Sequence, residues 1–457
     1  MNGLPAYHRR PGRPARLATA GVAAAALLVL AACSGTAGDA SATGATPSGP
    51  ASASSPSSDA ERLVVADPAA AAVHAYSVPE HELLGTIEDV AVADHPGFVQ
   101  LEDGRLLAAS TEPPELVALD VTGRAPEVVG RVDLPGAAVH IAVDPQAGLA
   151  AVSTSAPSED GDAGITVVDL ASFEVRSALE VTSEEPGIAF VEDGLLHRDG
   201  AEDGRVELLP LDRVLAGESE PAATAPAGAY GHGEAVVDGQ LLLATDAGLE
   251  RFRVTGDTLT AGATVPWAAD GGDWGRGYYL RTVGREQPHV WSYVRDQSSP
   301  SWAQWRNDVY VLPAGADVAR RAPLGNGLAF RFAVADDRVL FARMHPDGYV
   351  AHVVDADPAS PTFMTTLHHV ALPVPTGAPA PDDDVDAVWA SPGRPIAALT
   401  GDGEVGYVSR GGDGVIDVVD TDAGTVTGTI EVPTPLDGGG YLVTARPGVE
   451  PVDRLGR

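Results

Sequence analysis

The sequence has no lysine, a single cysteine and only 5% aromatic residues, and each shortage excludes something. With one thiol, Cys33, the chain can form neither an internal disulfide nor a cysteine-built metal centre. Any bound metal ion must then rely on histidine, carboxylate and water. Its 29 basic residues are all arginines and face 64 acids, for a net charge of −35. Nucleic-acid binding draws on basic patches that displace counterions from phosphates, so no nucleic-acid partner is expected. Catalytic signatures are missing as well. There is no Gly-x-Ser-x-Gly elbow, no His-Glu-x-x-His pair and no phosphate loop, and the expectation is a protein that is not an enzyme. What is plentiful is glycine, 52 residues, and proline, 37, which oppose a mainly helical fold and call for many turns.

Only one stretch is apolar enough to suggest an address. Arg9, Arg10, Arg13 and Arg16 precede the apolar run from Leu17 to Ala32, which is short and alanine-rich for a membrane span but has the layout of a secretory signal. It ends in Leu30-Ala31-Ala32-Cys33, which resembles the lipobox of bacterial lipoproteins, with Cys33 as the lipid-modified residue. Residues 1–32 are therefore expected to be a signal peptide and residues 33–60 a flexible Ser/Ala/Gly/Pro tether. The expected location is extracytoplasmic, lipid-anchored to the cell membrane. Removing the signal takes away four Arg and no acid, so the mature charge is 25 − 64 = −39.

From residue 61 onward helical periodicity is nearly absent. Apolar runs of strand length alternate with Asp-Gly, Ala-Gly and Gly-Asp turns. Val139–Val143, Gly148–Ser153, Gly164–Leu170 and Glu174–Glu180 form a four-strand unit that recurs at Asp386–Ala390, Pro395–Thr400, Gly414–Asp420 and Thr425–Val432. Weaker copies fall at 94–134, 186–224, 231–266, 269–322 and 327–374. The period predicts an all-β fold, a β-propeller over 61–457 with eight blades, or seven as the alternative. The first unit has only three strands, and Gly440–Ala445 is expected to supply the fourth and close the ring.

In a propeller the first strand of each blade lines the central channel, so equivalent positions converge. Those strands offer His95, His140, His232, Glu234, Arg331 and Asp386. His140, His232, Glu234 and Asp386 supply the donors zinc accepts when cysteine is absent. The same residues serve equally as hydrogen-bonded structural groups. Arg331 points the other way, toward an anionic small molecule, unless it pairs with Asp386 or Glu234. His368-His369 alternate in direction on a strand, and Asp382-Asp383-Asp384 reads as a solvated loop or a calcium-friendly cluster. Tryptophans crowd the segment 284–308, which breaks the strand rhythm and reads as an insertion, either a lid, a partner surface or core.

The order of these phrases resembles the AztD-type zinc metallochaperones, extracytoplasmic propellers that hand zinc to the solute-binding protein of a zinc ABC transporter. The resemblance is carried by Gly231-His232-Gly233-Glu234-Ala235, Val139-His140 and the final blade from Asp386 through Trp389 to Val415–Asp420. It implies that His140, His232 and Glu234, with Asp386 as a weaker fourth, bind zinc for transfer, and a monomer is expected. Ala229-Tyr230 stands where the family has a cysteine phrase, and Arg331 and Val388 stand where histidines are expected. The alternative functions are a protein adaptor whose channel is sealed by an Arg331–carboxylate pair, or a binder of a small anion.

Overall fold

Asp238 and Gly239 show how the local sequence makes the repeating unit. Both sit in the left-handed region, at φ 52° and 68°, and close a two-residue hairpin between strands Glu234–Val237 and Gln240–Ala244. This is the turn whose twist matches that of the strands it joins. Repetition of such hairpins gives eight antiparallel sheets, seven of four strands and one of five. The computed structural model describes residues 60–456 apart from 157–162, 182, 184–185, 200–203, 230–232, 269–273, 285–286, 437–439 and 450–453. The expected signal peptide, the tether up to residue 59, the lipidation site Cys33 and the candidate ligand His232 lie outside the described residues.

The sheets are the blades of a propeller, and the number is eight rather than seven. Their innermost strands are Tyr441–Ala445 in blade 1, Phe98–Gln100 in blade 2, Ala138–Asp144 in blade 3 and Gly187–Val191 in blade 4. Glu234–Val237, Arg276–Val283, Leu328–Val334 and Ala397–Leu399 complete the ring in blades 5 to 8. Blade 1 is closed as expected. Arg62–Asp67 pairs with Tyr441–Ala445, so Val64 faces Val443 and the two ends of the propeller share one sheet. A further short strand, Leu455–Gly456, adds to the inner edge of blade 3 beside Ala142 and Ile141.

Burial follows radial position. The middle strand Leu149–Thr154 is buried along its whole length, because each blade is covered on both faces by its neighbours, whereas the outer strand Val175–Val181 alternates. The core is accordingly a set of layers between sheets. One layer joins Val64, Phe98 and Leu106 across blades 1 and 2, and another joins Ile165, Leu195 and Leu243 across blades 3 to 5. Each fully buried aliphatic side chain contributes about 2 kcal/mol.

Two expectations change. The segment 284–308 is not an insertion: His289–Asp296 and Arg306–Pro313 are the second and third strands of blade 6. Trp291, Trp302 and Trp305 in it are buried, and Trp302 Nε1 donates to the Ala380 carbonyl at 2.7 Å. The rhythm breaks because the connecting loop folds back into the core. Asp386 is not on a strand either: blade 8 runs Ala397–Leu399, Val405–Arg410, Val415–Asp420 and Thr425–Glu431, so 395–400 holds its innermost strand and Val405–Arg410 is a strand the sequence pattern did not give. Asp386 lies exposed in the first turn of the helix Val385–Trp389, which Asp384 caps by accepting from the Ala387 amide at 2.8 Å. Val385, Val388 and Trp389 recur at helical spacing, which the same few letters conceal in a strand reading. Asp383 accepts from the Ala380 amide at 2.7 Å, so this acidic run serves turn and cap geometry.

Candidate functional site

The channel carries two groups of polar side chains, and the dipeptide Asp94-His95 at the entry to blade 2 touches both. In the first, His140 and Glu234 meet. His140 lies on the inner strand of blade 3 just after a register shift between Ala138 and His140. Glu234 opens the inner strand of blade 5. His140 Nδ1 is 3.3 Å from Glu234 Oε2, and Arg198 Nε donates to Glu234 Oε1 at 3.2 Å. All three side chains are buried, with Glu234 1% accessible. The His95 ring lies beside that of His140, with centroids 5.1 Å apart.

Arg198 reaches this place because its register partner is a glycine. Gly187 pairs with Arg198 across blade 4, and a Cβ at Gly187 would fall 2.3 Å from Glu234 Oε1 and 2.8 Å from Arg198 Nε. The absence of a side chain there lets the ion pair cross the strand. In so buried a place the pair is favourable only because its geometry replaces lost hydration.

The second group surrounds Arg331, on the inner strand of blade 7. A register shift between Ala329 and Phe332 puts Arg331 at φ 51°, and a matching shift in blade 6 puts Tyr279 at φ 51°. Positive φ is disfavoured for side chains of this size, and here it brings the two together. Arg331 Nε donates to Tyr279 Oη at 3.2 Å, and Nη2 donates to the carbonyls of Asp94 and His95. The guanidinium also lies over the rings of Tyr279, Phe330 and Tyr441. Its carboxylate is Asp94, not Glu234 or Asp386: Arg331 Nη2 is 3.7 Å from Asp94 Oδ1, while Arg394 Nη2 is 2.9 Å from Oδ2. Burial opposes the charge of Arg331, but Tyr279, Tyr441 and Asp94 outweigh it and raise its pKa. Packing around Asp94 would raise its carboxyl, yet Arg331 and Arg394 together hold it below the usual carboxylate range.

The donor set divides cleanly. His140 and Glu234 lie 3.3 Å apart, Asp386 is exposed on its helix, and His232 is outside the described residues. Among the described residues no three His, Cys, Asp or Glu side chains converge as metal ligands. Arg198, Asp94 and Arg394 were not visible as site residues in the sequence. The register across the Glu192-Asp193-Gly194 turn would have placed Arg198 opposite Gly187, whereas Asp94 and Arg394 sit outside strands and carry no periodic signal.

A second histidine pair sits away from the channel in blade 7. His352 and His369 are cross-strand partners with their Nδ1 atoms 3.0 Å apart, and Arg343 Nε donates to His352 Nε2 at 3.2 Å. The accepting Nε2 leaves the proton of neutral His352 on Nδ1, directed at His369. Burial, then Arg343 and His369, lowers the His352 pKa to about 3. A guanidinium against the pair disfavours a cation there, which makes it a hydrogen-bonded structural feature.

No family model and no curated protein sequence matches the chain. Solved structures do. The chain is similar to AztD of Citrobacter koseri at a TM-score of 0.61 and 15% identity, over 84% of this chain and 97% of that one. The apo form of Citrobacter koseri AztD gives 0.60 and 15%, over 85% and 99%. Dihydro-heme d1 dehydrogenase NirN in complex with DHE gives 0.56 and 12%, over 85% and 75%. The resemblance to AztD-type propellers therefore holds at the level of the fold. Because a dehydrogenase shares that fold, the architecture alone does not separate a carrier from an enzyme.

Proposed function

We propose that this chain is a non-enzymatic, extracytoplasmic carrier, lipid-anchored through Cys33, that takes a zinc ion as cargo at the His140–Glu234 side of its channel. It passes the ion to the zinc-binding protein of an ABC transporter. The observation that carries the reading is the approach of His140 Nδ1 to Glu234 Oε2, 3.3 Å, in a buried place reached by strands of different blades. Imidazole nitrogen and carboxylate oxygen are the ligands zinc takes without thiolate. Glu234 would bind through Oε2 while Oε1 stays with Arg198, and His232, two residues before Glu234, is the third ligand that the resemblance implies. The transporter partner also rests on that resemblance.

Arg198 decides the character of such a site. A guanidinium on Glu234 weakens the pull of that carboxylate on a second cation, so zinc is held less firmly than by an unshared carboxylate. Weak, incomplete ligation suits a carrier, since an incoming ligand attacks at an open position before the old ones leave.

Zinc titration of demetallated protein tests the reading, with His140→Ala, His232→Ala and Glu234→Gln alongside. Wild type is expected to bind one ion with higher affinity than the acidic surface, and each variant to lose that step. If wild type shows only surface-grade binding, or the three variants titrate like it, the channel carries no zinc.

A further inference from the structure

We propose that the end of the channel formed by blades 1, 2, 6, 7 and 8 is a carboxylate-binding site. In it Arg331 and Arg394 receive the incoming group, and Asp94 is the built-in carboxylate that it displaces. The argument begins with charge. Arg295, Arg331 and Arg394 are 1%, 5% and 6% accessible, in a protein whose net charge is −35. Among the described residues the only carboxylate within ion-pair distance of Arg331 is Asp94, and its nearer contact is with Arg394. Arg295 has no carboxylate partner among the described residues; its donors go to Asn307 Oδ1 at 3.3 Å and to the Ala329 carbonyl. Nη1 of Arg331 and Nη1 of Arg295 are both buried without a hydrogen-bond partner among the described residues. Arg295 and Arg331 are buried with little counter-charge among the described residues, which is unfavourable, so an added anion has free energy to gain.

The remaining geometry fixes where that anion would sit. Rings of Phe330 and Trp389 pack at 5.2 Å, Arg394 lies over Phe330 at 4.2 Å, and Arg295 lies over Trp389 at 5.3 Å. These aromatic faces hold the guanidinium planes and leave their edges as donors. Asp94 is held firmly by its backbone and loosely by its side chain. Gly97, at φ 57°, lies so close to Tyr441 that a Cβ would fall 2.1 Å from the ring, which presses the turn onto the channel wall and fixes the Asp94 and His95 carbonyls on Arg331. The Asp94 side chain itself is 51% accessible, and among the described residues its ion pairs are with the two guanidiniums. A rotation about its own side-chain bonds releases them, with no movement of the strands. An external carboxylate then restores the same charge-assisted contacts, which planar guanidiniums make best with a planar acceptor. The same arginines repel a divalent cation, so this end serves a different ligand from His140 and Glu234.

Acetate is the probe, with chloride and inorganic phosphate at matched ionic strength as comparators. Chelator is present throughout, so the readout does not depend on metal binding. Asp94→Ala is expected to bind acetate at least about tenfold more tightly than wild type, the factor that corresponds to 1.4 kcal/mol. Acetate should raise its thermal midpoint where chloride does not. Adding Arg331→Met to Asp94→Ala should abolish both effects. If Asp94→Ala does not fold without acetate, Asp94→Asn keeps one acceptor oxygen and should show the same tighter binding. No acetate-specific effect in either Asp94 variant, retention of it with Arg331→Met, or equal binding of phosphate overturns the proposal.

Discussion

Glu234 turns its two oxygens to different partners: Oε2 lies 3.3 Å from His140 Nδ1 and Oε1 accepts from Arg198 Nε at 3.2 Å. Removing the charge while keeping the shape is therefore informative. Glu234→Gln should destabilise the propeller by about 3–5 kcal/mol, because Arg198 loses the carboxylate it donates to. Adding Arg198→Met should recover a large part of the loss. Urea unfolding of the two single variants and the double variant checks this. Additive losses would mean that the pair is not coupled.

Gly187 should tolerate no side chain. Gly187→Ala places a methyl 2.3 Å from Glu234 Oε1 and is expected to lower stability by about 1–3 kcal/mol, while the ion pair is pushed out of register. Gly148→Ala makes a comparison in which the added Cβ meets nothing within 4 Å, although its φ of 67° carries a backbone penalty of its own. Thermal unfolding of the two ranks the steric part.

Ring closure should be cooperative. Deleting residues 441–457 removes the inner strand of blade 1 and leaves Arg62–Asp67 as an open edge. The expected outcome is loss of a single sharp unfolding transition and association through the open edge, read by calorimetry and size-exclusion chromatography.

The short terminal strand should act more locally. Val143 donates its amide to the Arg454 carbonyl at 3.0 Å. Deleting residues 454–457 is expected to speed hydrogen exchange at the Val143 amide while amides of Leu149–Thr154, paired inside the blade, keep their protection. Uniform acceleration across blade 3 would instead mean that the strand holds the whole sheet.

Acid should find blade 7 first. His352 has its pKa lowered to about 3 by burial, with Arg343 and His369 adding to the effect, against an ordinary value of 6.5. The unfolded chain then binds a proton that the folded one refuses. The stabilisation is fully present above pH 6.5 and is lost as pH falls toward 3, by up to about 1.4 kcal/mol per pH unit. His352→Gln should flatten this part of the stability profile, measured by denaturant unfolding between pH 7 and pH 4.

Strand alternation settles the adjacent histidines of blade 7. His368 and His369 were expected on opposite faces, and His369 turns to His352 while His368 packs where a Gly424 Cβ would be, 2.3 Å from its Nδ1. Alternation failed around Asp386, where Asp384 nucleates a helix, and at 284–308, where buried tryptophans interrupt an otherwise aliphatic rhythm. Both failures have one cause: a few apolar letters do not specify a period until a cap or a long-range contact selects it.

Sequence alone carries the repeat, the closing strand and the extent of most blades, because hairpin turns and strand-length apolar runs are local and each copy states them again; the start and second strand of blade 8 are the exception. The sequence also establishes that no thiolate serves a site in the propeller. Which polar groups meet across the channel is set by the folded arrangement of the blades. Asp94 joins Arg331 and Arg394 through ring closure, and Arg331 and Tyr279 meet through left-handed bulge positions that reverse the alternation rule. A bulge shifts every side chain after it to the other face, and the partner it then reaches belongs to a distant segment, so no local pattern carries that information.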